Sequence, residues 1–266
     1  MALETRNPAF QSKAARDRFG GTATIDGLAV RRVPVAEPGT APLTITGTVH
    51  ITAVLLGIVL VSAWVGWRFV TVDAFGGIRV PGWVWIALVG ALVLAVVTIF
   101  RPRSAHLTGP AYAVLEGLVL GAISHVFEAT YDGIVLQAIV GTMGVAATML
   151  VLYRSGRIRV TPRFTKGVIG ATLGILLVYV FGWIASAFGA DVRFWNEPTP
   201  LGILITLGIV VIAALNLVLD FHFIEQAEKA GVPRQWEWYF AFGLVLTLVW
   251  LYIELLRLLS LFYGRD

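Results

Sequence analysis

Pro200 to Glu225 reads PLGILITLGIVVIAALNLVLDFHFIE. Its first sixteen residues carry no charge and no amide side chain. At about 1.5 Å of rise per residue, roughly 20 residues cross a hydrocarbon core of about 30 Å, so this run is a membrane-spanning helix. The run does not end in inert residues, because Asn216, Asp220, His222 and Glu225 appear before it leaves the apolar region. A charge at the bilayer centre costs about 2.5 to 3.5 kcal/mol on insertion scales, so Asp220 calls for a functional explanation or a route to water.

The rest of the chain has the same character. Of its 266 residues 58% are hydrophobic and 14% charged, with a mean hydropathy of +0.82. A soluble domain has roughly half apolar and a quarter charged residues, so the composition is that of an integral membrane protein. Seven apolar runs occur, at about 43–67, 82–100, 110–129, 133–153, 167–189, 200–221 and 238–262. The breaks FGGIRVPG, RPRSAHLTGP, YDG, RSGRIRVTPRFTKG and NEPTP all carry Gly or Pro. Runs of this length predict helices, since a membrane barrel shows alternating segments of about ten residues. The expected organisation is a polar, mobile tail over 1–42 and an all-α domain of seven transmembrane helices over 43–266.

Basic residues set the expected orientation. Fifteen of the 20 Lys and Arg fall in the tail and in the 101–109, 154–166 and 222–237 loops. The positive-inside bias therefore places the N-terminus in the cytoplasm and the C-terminus outside, in a multi-pass protein of the cell membrane. Trp83, Trp85, Trp236, Trp238 and Tyr239 fall at predicted helix ends, where amphipathic rings prefer the interface.

Several chemistries drop out. With no Cys there is no disulfide framework and no thiolate metal site. The basic residues form no continuous face of the kind that binds nucleic acid. Ser124 and His125 are adjacent on a helix and point apart, and neither G-x-S-x-G nor H-E-x-x-H occurs. A retinal-type Schiff base needs an intramembrane Lys, and the three lysines are Lys13, Lys166 and Lys229. The expectation is a non-enzymatic protein without a cofactor.

The remaining candidates are ionisable residues inside the runs: His50, Glu116, Asp220 and Glu254. Gly117 and Gly121 follow Glu116 in a small-xxx-small arrangement that admits a close neighbouring helix. Glu116 reads equally as a residue of a cation path or as a protonated packing group. Asp220 lies about 30 Å from Pro200 along a helix, which would let it be wet at the interface. Glu254 is deeper, and Arg257, three residues on, offers a local ion-pair partner.

Four stretches then carry a family resemblance. AYAVLEGLVLGAISHVFE (111–128), GRIRVTPRFTKGVIGATLG (156–174), NLVLDFHFIE (216–225) and EWYFAFGLVLTLVWLYIELLRLL (237–259) resemble the Bax inhibitor-1 family in its bacterial form. The resemblance implies a seventh helix central between two three-helix groups, and a pH-sensitive calcium leak channel or transporter. In that scheme a carboxylate near the cytoplasmic end of the sixth helix pairs with one in the seventh to close the pore. The matching residues are Asp220 in LVLDF and Glu254 in LYIELL, which would touch calcium in passing. A basic residue ending the second helix latches the pair, and Arg101 in TIFRPR holds that place. Here the seventh-helix acid is Glu where the family usually has Asp. Other members suggest an alternative, a non-transporting interaction protein whose partner is a membrane protease or stress-pathway component. The expected partners are the lipid bilayer, the calcium ion and a membrane protein.

Overall fold

The computed structural model describes residues 41–72, 77–189 and 198–264. Among them seven helices are long and apolar enough to cross a membrane. They are α1 (Ile45–Phe69), α2 (Trp83–Phe100), α3 (Ala105–Thr130), α4 (Ile134–Arg154), α5 (Pro162–Ala187), α6 (Pro200–Lys229) and α7 (Glu237–Tyr263). Between α1 and α2, β1 (Thr71–Val72) pairs antiparallel with β2 (Ile78–Arg79). The tail expected over 1–42 lies outside the described residues except for Ala41 and Pro42.

Helix starts follow local sequence grammar. Thr44, Thr199 and Thr161 each cap a helix, their hydroxyls accepting from the backbone N–H of Gly47, Gly202 and Phe164 at 2.9, 3.1 and 3.2 Å. Pro162 and Pro200 take the first helical position, where the missing N–H costs nothing. The α3–α4 turn uses Gly133 at φ 77°, and the Glu128 carboxylate accepts from Gly133 N and Val135 N at 2.8 and 3.0 Å. A carboxylate at those orphan amides complements the start of α4.

Helix α7 is the central element. It packs against α1, α3, α4 and α6, while α1, α2 and α3 form one group and α4, α5 and α6 the other. This is the arrangement the resemblance implied. Small residues let α1 and α3 close on each other: Gly117 faces Val59 and Ser62, Gly121 faces the Ala63 carbonyl, and Gly66 faces Leu118. None of these glycines has room for a Cβ, which is the small-residue packing that joins helices in lipid. The outward faces carry exposed apolar side chains such as Ile86, Leu177, Phe181 and Trp183. Such surface is stable against hydrocarbon and not against water.

Three expected boundaries move. Helix α3 begins at Ala105 and carries Pro110 inside it, where RPRSAHLTGP reads as a break. Helix α5 begins at Pro162, so Arg163 and Lys166 lie in its first turns. Helix α6 runs on to Lys229, eight residues past the expected end at 221. That extension is polar by composition yet buries Ala227 against Leu43 and Val232. Burial on one face sustains a helix whose hydropathy alone would end it.

Candidate functional site

Asp220 and Glu254 both face the centre of the bundle, but at different levels. Asp220 lies nine residues before the end of α6, about 13 Å inside it, and not at the helix terminus the sequence implied. Its Oδ2 is buried without a hydrogen-bond partner. Thr247 is its polar neighbour on α7, and both line a cavity of about 260 Å³ with Ile99 of α2 and Phe223, Tyr239 and Phe242. The Thr247 hydroxyl also lies 3.2 Å from the Gly243 carbonyl. One hydroxyl proton cannot serve both acceptors. Thr247 can therefore donate to an Asp220 carboxylate, or donate to Gly243 and accept from an Asp220 carboxylic acid.

Glu254 is held in a cluster of its own. Its Oε1 accepts from Tyr179 Oη at 2.6 Å and from Trp250 Nε1 at 3.2 Å. Its Oε2 lies 3.5 Å from Arg257 Nη1, and the two side chains are 3% and 17% exposed. Arg257 donates to Tyr179 Oη at 2.7 Å and to Thr206 Oγ1 at 3.1 Å. The network ties α5, α6 and α7 together with one negative and one positive charge. The local Glu254–Arg257 pair open from the spacing is thus made, with a tyrosine hydroxyl set between its members.

Two contacts fix how α6 runs against α7: Asp220 meets Thr247, and Thr206 meets Arg257. Glu254 lies seven residues past Thr247, about 10 Å along α7, so direct pairing of Asp220 with Glu254 is not found in this structure. The physical reason is that Arg257 and Tyr179 engage Glu254 where it stands, while α6 carries Asp220 two turns away. Asn216, one turn before Asp220, donates to Thr172 Oγ1 of α5 at 2.8 Å, which further anchors α6 in this position.

The other candidates separate. Arg101 caps the end of α2 with an exposed side chain, two residues past the cavity-lining Ile99. Glu116 is half-buried on α3, about 100° around the helix from Gly117, so the close approach of α1 serves the glycine face and not the carboxyl. Tyr112, one turn before it, packs edge-on against Phe242 with centroids 5.1 Å apart. That contact puts Glu116 near the level of Leu246, and so near the level of Asp220 on another side of α7. His50 is exposed on α1. His125 stacks on Trp67 at 4.7 Å and its Nδ1 lies 2.8 Å from the Trp67 carbonyl, while Ser124 bonds Tyr252.

The structure holds a further buried carboxylate that is not among the sequence candidates. Glu237, at the first position of α7, is 2% exposed and accepts from Thr44 N and Thr44 Oγ1 at 3.0 and 3.1 Å. Arg234 lies 3.6 Å from its other oxygen. Beside it the backbone at 41–43 bridges the α6–α7 turn, with Leu43 N donating to Val232 O at 2.6 Å and Arg234 N to Ala41 O at 3.0 Å. The beginnings of α1 and α7 are therefore clasped. Flanked by Trp236 and Trp238, Glu237 reads in the sequence only as part of an aromatic interface belt. Nearby, Glu225 pairs with Lys229 and accepts from Tyr153 of α4.

Among the described residues no group of three or more His, Cys, Asp or Glu side chains is placed to hold a metal ion. The two acids expected to share a passing calcium do not share a site in this structure.

A seven-helix membrane bundle built around a central helix, with separate buried acids at two depths along it, defines the class of protein. Within that class the chain belongs to the Bax inhibitor 1 like family, whose family model matches residues 7–264. The match reaches into the polar tail, beyond the residues that carried the resemblance. No curated protein and no solved structure matches the chain.

Proposed function

We propose that this protein is a pH-sensitive calcium leak of the cell membrane in which Asp220 is the titrating residue. The observation that carries the reading is the position of Asp220, which lines a cavity reaching α2 together with Thr247 and keeps one buried oxygen without a hydrogen-bond partner. With the proton on, the acid donates to Thr247, Thr247 donates to Gly243, and the cavity holds no net charge. With the proton off, a carboxylate in a poorly hydrated place draws a cation, and calcium prefers oxygen donors. Flux then rises as the pH rises through the titration of Asp220.

In this account Glu254 keeps its place beside Arg257 and Tyr179 and does not exchange them for Asp220. Bringing the two acids together would take a slide of about two turns, which would break the Thr206–Arg257 contact. Arg101 acts at the mouth of the cavity and not as a latch on a carboxyl pair. Glu116 continues the path from the other side of α7, and Glu116→Gln is expected to lower flux with little effect on stability. With the positive-inside orientation, the Asp220 level belongs to the cytoplasmic half and the C-terminus lies outside.

Purified protein in liposomes loaded with a calcium indicator tests the reading. Calcium entry that exceeds that of protein-free liposomes and grows between pH 5 and pH 8 is the expected result. Entry equal to that of empty liposomes at every pH would leave the interaction-protein reading in its place.

A further inference from the structure

Asp220 and its cavity leave a second, larger space in the bundle unused. A crevice of about 440 Å³ lies between α1 and α4, with α3 and α7 as its floor. Helix α1 packs along α3 and α4 packs along α7, so the two walls stand apart and the crevice opens sideways toward lipid. Its walls are apolar: Leu56 and Leu60 on α1, Ile139 and Met143 on α4, Leu248 and Val249 on the floor. The polar pair at its base is already satisfied, since Ser124 Oγ and Tyr252 Oη lie 2.7 Å apart. Apart from Arg68 at one end, nothing in the crevice asks for a polar occupant.

Its length and its charged end identify what it suits. Along α1 it extends from Leu56 to Arg68, twelve residues or about 18 Å, which is close to the depth of one leaflet in a core about 30 Å thick. Arg68 stands in the last turn of α1 with an exposed side chain whose guanidinium lies 4.8 Å over the Trp64 ring. Trp64 and Trp67 beside it are the amphipathic rings of a headgroup level. The nearby Glu128 is turned to the amides of Gly133 and Val135 and so is committed to the start of α4.

We infer that this crevice is a lipid site that takes one acyl chain of an anionic phospholipid, with Arg68 holding the phosphate. A pocket of this volume lies in the range that ordinary small-ligand sites occupy. One basic side chain near the headgroups favours an anionic over a zwitterionic lipid by about fivefold. The site is independent of the calcium reading, because neither its walls nor its charge include Asp220, Glu254 or Glu116.

Native mass spectrometry of the protein released from mild detergent, with equal phosphatidylglycerol and phosphatidylcholine of identical chains, tests this. The wild type is expected to retain one phosphatidylglycerol in preference to phosphatidylcholine. Ile139→Trp, at a rim position 40% exposed, fills the crevice and should abolish retention. Arg68→Gln, at an exposed position, should keep a lipid but lose the preference for phosphatidylglycerol. Leu177→Trp, exposed on α5 away from the crevice, is the control and should behave as wild type. Retention by Ile139→Trp equal to the wild type, or an unchanged preference in Arg68→Gln, would overturn the assignment.

Discussion

The hydroxyl of Tyr179 donates a 2.6 Å hydrogen bond to the carboxyl of Glu254. The same hydroxyl accepts from Arg257 at 2.7 Å, so it relays between two opposite charges that themselves stand 3.5 Å apart. Helix α5 packs on α6, and Tyr179 is its reach to α7. A single hydroxyl therefore joins a peripheral helix to the central one and completes the environment of a buried ion pair.

Removing that hydroxyl should be costly. Tyr179→Phe leaves a buried acceptor and donor short of a partner and is expected to destabilise the protein by about 1 to 3 kcal/mol. Glu254→Gln leaves Arg257 without its counter-charge and should cost more, about 3 to 5 kcal/mol. Thermal unfolding in detergent checks both, and equal midpoints for Tyr179→Phe and the wild type would remove the relay from the account.

The clasp at the other end of α7 makes a separate prediction. Glu237→Ala removes the acceptor of Thr44 N and Thr44 Oγ1, and is expected to loosen the start of α1. Amides of residues 44–48 should exchange hydrogen faster, while those of the α3 core around Ala113 stay protected. Gly47→Ala should act in the same direction, because a Cβ there would run into the Glu237 carboxyl. Unchanged exchange at residues 44–48 in Glu237→Ala would show that the backbone bridge to Val232 holds α1 by itself.

Sidedness is testable because the chain has no native Cys. Val160→Cys and Gly264→Cys should react with a membrane-impermeant maleimide from opposite sides of the membrane. Position 160 should be the cytoplasmic one, given the fifteen basic residues expected on that side. Labelling of both from one side would contradict the topology.

The bundle is legible in the sequence because hydropathy and Gly- or Pro-containing breaks are local signals. In the structure α5 and α6 start at the Thr-Pro steps of VTPRF and PTPLG, whereas the basic charges after the first put the expected start of the α5 run at 167. What was not legible depends on packing across helices. Asp220 reads as near a helix end because His222, Glu225 and Lys229 look like loop, whereas burial of Ala227 carries α6 on to Lys229. Thr247 is one hydroxyl in a long apolar run, and nothing in the run marks it as the partner of Asp220. The Asp220–Glu254 pairing followed from motif positions alone. It is not found because the spacing of Glu254 to Arg257 gave the carboxyl a nearer claimant.

The central claim is that pH sensitivity belongs to Asp220 and not to an Asp220–Glu254 pair. Calcium flux into liposomes, measured from pH 5 to pH 8 for the wild type, Asp220→Asn and Glu254→Gln, tests it most directly. The account predicts a flat profile for Asp220→Asn and a retained rise with pH for Glu254→Gln in whatever fraction of that variant folds. An Asp220→Asn protein that keeps the wild-type pH profile would contradict it, as would loss of the profile in both variants alike.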